Sequence, residues 1–245
     1  MADRASSVRV ILCADAVAGW HSAWLASFGQ RFVRDENAWR ALDAPHFIYF
    51  AGITLQPDAP AVSVDAAPGT VCDSWSNVDL AASGFRRDGS EAWFYREPGP
   101  LPVEDVPPEL ELVQVSTPDE LVEFEAVSIR GFDNEDASVV PGSVHPAAIL
   151  DDPRMVMWTG RVEGKAVAAA MSYRTDSAVG VFGVTTVASA RRRGYASVLT
   201  RASIQADTGL PSVLAPSEMA EPMYERLGYR RVGELRKWIR ANPDR

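Results

Sequence analysis

Cysteine is scarce in this chain. Only Cys13 and Cys72 occur, far apart, so the sequence offers neither a disulfide framework nor a thiolate metal site, and both read as small buried hydrophobes. Histidine is nearly as rare. His21, His46 and His145 stand alone, without the paired Cys or HExxH neighbours that zinc requires, so no metal is expected. No apolar run approaches the length of a membrane span, and the first ten residues lack a signal-peptide core. Basic residues are outnumbered, 24 Lys and Arg against 33 Asp and Glu, for a net charge of -9. Such a surface repels phosphate backbones and disfavours a nucleic-acid partner. These absences leave a globular protein expected in the cytoplasm, with no membrane partner. Its charge is compatible with a cationic or amine substrate. Oligomeric state is not legible in the sequence.

At 245 residues and 47% hydrophobic content, the chain can bury one large core or two small ones. Prolines 98, 100, 102, 107 and 108 crowd one stretch, with Glu104 and Asp105 between them. Proline removes a donor and keeps its predecessor out of helix, so 98–108 reads as an extended linker. It separates a smaller α/β region, 1–97, from a second region, 109–245.

The second region alternates strand and helix signals. Leu110 to Val115 reads as a strand. Thr117, Pro118 and Glu120 form a capping box ahead of an apolar stripe at Leu121, Phe124 and Val127, with Gly131 as a stop. A short helix follows His145. Residues 155–162, 166–173 and 178–187 read as three strands, divided by turn residues. A helix from Gly194 to Asp207, a strand 212–215, a helix 219–227 closed by Gly228, and a last strand or two from Tyr229 to Ile239 complete the order. That pattern predicts a mixed, twisted α/β sheet with helices on both faces.

The most informative stretch runs Gly183-Val184-Thr185-Thr186-Val187-Ala188-Ser189-Ala190-Arg191-Arg192-Arg193-Gly194-Tyr195-Ala196. A strand enters a short loop that opens a helix. The first N–H groups of a helix have no partner within it and lie at the positive end of its dipole, so phosphate binds there. Gly194 permits close backbone approach, Ala196 stays small, and three arginines add charge. With Gly194 as the only glycine of the loop between strand and helix, the stretch is neither a Walker loop nor a dinucleotide fingerprint.

This stretch resembles the acetyl-CoA loop of the GNAT N-acetyltransferases, Gln/Arg-x-x-Gly-x-Gly/Ala, with Arg191, Gly194 and Ala196 in the fixed places. A second block is similar to the family's Asn-x-x-Ala-x-x-Leu-Tyr-x-x-x-Gly-Phe: Ala220, Tyr224 and Gly228 match, Met223 and Tyr229 are alike in kind, and Ser217 replaces the asparagine. The resemblance covers residues 109–240. It implies a GNAT fold and acetyl transfer to a primary amine, on a small molecule, a peptide terminus or a lysine. It also implies pantetheine along Val184, Thr185 and Thr186, and pyrophosphate on the amides of Arg192, Arg193, Gly194, Tyr195, Ala196 and Ser197. Ser217 stands where the family bonds the cofactor arm, an amide near Thr185 or Thr186 would face the oxyanion, and Tyr224 stands where the family places the acid that protonates the leaving thiolate. Candidates for the base are Glu125, Glu218 and the acidic loop Asp133, Asn134, Glu135 and Asp136, and a water chain serves equally. No Ser, His and Asp arrangement accompanies the loop, so direct transfer is expected. The rival reading is a non-catalytic CoA-binding or regulatory module with a GNAT fold.

In the first region, Val8 to Leu12 reads as a strand, Val17, Trp20, Trp24 and Phe28 as a helix stripe, and Phe47 to Leu55 as a strand. Gly84-Phe85-Arg86-Arg87 mirrors Gly228-Tyr229-Arg230-Arg231, and Gly52-Ile53-Thr54 mirrors Gly183-Val184-Thr185. The first copy is shorter where the loop and helix lie in the second, and Leu80 takes the place of Tyr224. A shortened GNAT-like half without cofactor chemistry is the expectation that follows.

Overall fold

The computed structural model describes residues 4–240 apart from 47, 66 and 133. In chain order the elements are α1 (Arg4–Ser27), β1 (Phe32–Arg34), β2 (Ala38–Ala41), β3 (Gly52–Thr54), β4 (Val71–Asp73) and β5 (Phe85–Arg96). Then follow β6 (Glu111–Gln114), α2 (Pro118–Phe132), β7 (Met155–Val162), β8 (Lys165–Arg174), β9 (Val179–Thr186) and α3 (Tyr195–Ile204). The chain closes with β10 (Ser212–Leu214), α4 (Glu221–Arg226) and β11 (Arg230–Arg240). They form two compact units: Met1–Tyr95 with Ala215–Glu221 and Arg230–Arg245, and Arg96–Leu214 with Pro222–Tyr229. The units are therefore not contiguous in sequence. The last strand belongs with the first unit because its ladder partners, β4 and β5, lie there.

In the first unit β1, β2 and β3 pair antiparallel, β3 and β4 run parallel, and β11 lies antiparallel between β4 and β5. The strand expected at Val8 to Leu12 is instead part of α1. Val10, Cys13, Ala14, Ala16, Val17, Ala18, Trp24 and Leu25 are all buried, so the helix is apolar around most of its circumference and a short apolar run within it carries no helical stripe. Val10 presses on β11 at Gly233, where a Cβ would come within 2.6 Å of its Cγ2. The strand expected from Phe47 to Leu55 shrinks to Gly52–Thr54, and Phe47 lies outside the described residues.

In the second unit β6, β7, β8 and β9 are antiparallel neighbours, and β10 runs parallel to β9. Ala168 through Tyr173 on β8 are buried without interruption, as in a strand covered on both faces. Thr159, Ala169 and Thr185 lie in register on one face, and a Cβ on Gly131 would overlap Thr185, which places α2 there. Gly160 and Ala168 lie in register on the other face, where Leu199 of α3 packs. The capping box at α2 forms in both directions: the Glu120 N–H donates to the Thr117 hydroxyl at 3.3 Å, and the Thr117 N–H to the Glu120 carboxylate at 3.0 Å. Such a cap contributes about 1 kcal/mol.

Candidate functional site

The site is built where β9 hands over to α3. Two irregularities distinguish β9. Its register against β8 slips between Ala169 and Met171, so Gly183 and Val184 face the single residue Ala170. This is a β-bulge. Gly183 sits there at φ 59°, and a Cβ on it would meet Met171 Cε at 2.7 Å. Only glycine fits both constraints. The second irregularity is on the other edge. β10 pairs with β9 only through Ser212 and Val213, opposite Val179 and Gly180. β10 ends at Leu214 while β9 continues to Thr186, so Val184, Thr185 and Thr186 lie beyond the ladder with β10.

Beyond β9, Ala188–Ala190 makes one 3-10 turn and the loop enters α3. Arg192 lies at φ 65° and Gly194, the residue before the first helical turn, at φ 83°. Left-handed backbone at a non-glycine residue costs about 1 kcal/mol, and such strain concentrates at functional sites. Arg192, Arg193 and Gly194 are exposed, and Ala196 and Ser197 partly so. The helix start thus lies at the surface beside two exposed guanidinium side chains, of which that of Arg193 bonds to the Tyr195 hydroxyl.

Arg191 is placed differently from its neighbours. Its guanidinium donates to Thr186 O at 3.0 Å and Gly131 O at 2.9 Å, bracing the loop against the strand it leaves and the end of α2. Glu135 supports the same loop. It accepts from the Ser189 N–H at 2.9 Å and from the Ser189 hydroxyl, and these bonds hold its carboxyl below the usual range. Tyr195 is 1% exposed, and its hydroxyl donates to Glu109 at 2.8 Å.

Tyr224, on α4, is 5% exposed. Its ring meets Tyr229 edge to face at 5.7 Å, and Tyr229 shares a 2.6 Å bond with Ser212 of β10. Burial pushes the Tyr224 phenol up to about 12, and a hydrogen bond with Thr200 opposes that rise. Thr200 in turn donates to Ala196 O at 2.8 Å, so the hydroxyl of Tyr224 is tied to the second turn of α3. A phenol in this environment stays protonated and able to donate at neutral pH.

The remaining candidates scatter. Ser217 begins the 3-10 turn Glu218–Ala220 in the first unit, with no side-chain cap, and Glu218 is exposed beside it. Asp133 lies outside the described residues. Glu125 is fully buried, and its oxygens accept from the N–H groups of Gly142 at 2.6 Å, Val144 at 2.6 Å and His145 at 2.8 Å. That carboxylate buckles the 142–145 loop to α2 instead of facing a cleft. Sequence reasoning missed this role, because it depends on partners distant in the chain. Among the described residues, no three His, Cys, Asp or Glu gather in a way that could hold a metal, and no helix is long and apolar enough to cross a membrane.

No family model and no curated protein matches the sequence. Solved structures do match. A GCN5-related N-acetyltransferase of Kribbella flavida is similar over 94% of this chain and 96% of its own, at TM-score 0.65 and 18% identity. A putative GNAT-family acetyltransferase of Novosphingobium aromaticivorans is similar over 94% and 97%, at TM-score 0.59 and 19% identity. A GCN5-related N-acetyltransferase-like protein of Streptococcus suis is similar over 94% and 98%, at TM-score 0.56 and 15% identity.

Proposed function

We propose that this chain, which has the fold of the GNAT acetyltransferases, moves an acetyl group from acetyl-CoA to a primary amine. One observation carries the reading: a bulged strand that outruns its parallel neighbour leads through one short loop into a helix that starts at a left-handed, exposed glycine. The bulge and the end of the β10 ladder suit a thioester arm lying along Val184, Thr185 and Thr186. The helix start suits the pyrophosphate, held by the amides of Arg192, Arg193, Gly194, Tyr195, Ala196 and Ser197. The exposed side chains of Arg192 and Arg193 add charge, while Arg191 holds the loop in shape. Ser217 is the remaining proposed contact of the cofactor arm.

In this reading a neutral amine attacks the thioester carbon. The C–N bond forms, and the carbonyl oxygen gains charge that a β9 amide stabilises. The C–S bond then breaks, Tyr224 gives its proton to the departing thiolate, and the amine's surplus proton leaves through water. Direct alignment of both substrates removes the need for a covalent enzyme intermediate. Residues 1–97 are proposed as a shortened GNAT-like half without cofactor chemistry, 98–108 as a linker and 109–245 as the acetyltransferase domain. The cytoplasm, where acetyl-CoA is made and used, is the proposed location.

The test is thiol release from acetyl-CoA across a panel of small-molecule, peptide and lysine amines. Amine-dependent release is expected for one class. CoA binding with no release across the whole panel would instead mean a non-catalytic CoA-binding module.

A further inference from the structure

The proline-rich stretch is not a loose tether. From Gly99 to Glu109 it runs along α3 from the helix's far end back to its start. The Gly99 N–H donates to Thr208 O at 3.0 Å, and Arg96 donates to Gly99 O at 3.1 Å and Pro100 O at 2.5 Å. Arg201 donates to Pro102 O. The Ser197 hydroxyl donates to the Glu104 carboxylate at 2.6 Å. Pro107 lies 3.9 Å from where a Cβ on Gly194 would stand, and Glu109 accepts from Tyr195. Both carboxylates thus face the first turn of α3, on the hydroxyl and phenol that side chains offer there.

Ser197 is the third residue of α3. A hydroxyl at that position stands beside the unpaired amides and is the side chain best placed to bond a phosphate held by them. In the present structure its partner is an anion supplied by the chain itself. The strap is lightly held otherwise: Val103 is 95% exposed and Val106 52%, so little apolar burial opposes movement of the Glu104 region.

We propose that Glu104 is a built-in competitor for the cofactor, a carboxylate that occupies the Ser197 hydroxyl until a phosphate of CoA displaces it. This rests on the reading of the α3 start as the CoA phosphate site. The consequence is an affinity set below what the site's own amides and arginines provide, because entry costs one charge-assisted hydrogen bond and brings a phosphate near a carboxylate.

The experiment is calorimetric titration of wild type and Glu104→Gln with CoA, alongside cleavage of the wild-type strap by a Glu-specific protease with and without CoA. The proposal expects Glu104→Gln to bind CoA about three- to tenfold more tightly, and CoA to speed cleavage after Glu104. Equal or weaker binding by Glu104→Gln, with wild type binding normally, would overturn the strap while leaving the CoA site standing, as would protection of Glu104 by CoA. Absence of CoA binding in both proteins would overturn the CoA site and the strap together.

Discussion

The two units carry the same local plan and differ at one step. In the first, β3 leads through a 3-10 turn, Ala61–Ser63, to the parallel strand β4. In the second, β9 leads through a loop and the ten-residue helix α3 to the parallel strand β10. Gly52 of β3 faces Ala67, Val71 and Val64, with room for a Cβ only at 3.1 to 3.4 Å, so its surroundings are closed apolar packing. Gly183 of β9 sits in a bulge at φ 59° on a strand that outruns its parallel neighbour. Farther on, Leu80 is fully buried ahead of Gly84 at φ 81°, where the second unit has Tyr224 ahead of Gly228 at φ 93°. A strand-crossover-strand plan alone therefore makes no anion site. On the proposed reading, the bulge in β9, the start of α3 and the Tyr224 hydroxyl make it.

This contrast can be broken most sharply at the paired positions Leu80 and Tyr224. Leu80→Ala should cost about 3 kcal/mol of stability, since a fully buried leucine leaves a cavity, while CoA affinity of the folded protein stays unchanged. Tyr224→Phe should do the reverse, lowering kcat about 100-fold with little change in Tm or in KM for acetyl-CoA. Urea unfolding and steady-state kinetics on both variants check the pair. Equal effects on both observables from both variants would erase the distinction.

Titration separates the units next. His21 in the first unit is buried, donates from Nδ1 to Val17 O, accepts at Nε2 from the Phe50 N–H, and is pushed down to about 4 by desolvation. The unfolded histidine binds protons below about 6.5 while the folded one resists until about 4. Stability should therefore fall as pH drops through that window, by on the order of 3 kcal/mol, and the loss should shrink in His21→Phe. Tyr224 has no such window: with its phenol near 12, kcat should show no alkaline limb from this group below about pH 11. Urea midpoints and pH–rate profiles measure the two.

Two smaller effects sharpen the account within the second unit. Glu125→Gln should cost about 2 kcal/mol of stability, because a neutral amide replaces a buried carboxylate that accepts three N–H groups. Arg192→Gln, at an exposed position, should weaken CoA binding about threefold, and that loss should vanish as ionic strength rises.

How much of this was legible in the sequence follows from range of interaction. The capping box at Thr117 and Glu120, the helix after Gly194 and the close at Gly228 depend on residues a few positions apart, and local chemistry identifies them. The order of strands in the second unit follows from the same signals. Val8 to Leu12 misled because an all-round apolar helix has no periodic stripe. The allegiance of β11, the bracing role of Arg191, the buckle at Glu125 and the strap contact of Glu104 all join residues far apart in sequence, so no local pattern encodes them. Gly183 was visible as a glycine inside a strand, the usual mark of a bulge, and that was the one missed signal available from the residues alone.

The central claim is that the start of α3 holds the phosphates of acetyl-CoA. Calorimetric titration with acetyl-CoA, comparing wild type with Gly194→Asp, tests it most directly. A side chain at φ 83° strains the helix start and a carboxylate opposes the phosphates, so the account predicts micromolar-range binding by wild type and loss of about 100-fold or more in the variant. Absence of binding by folded wild type, or equal binding by the two proteins, would contradict it.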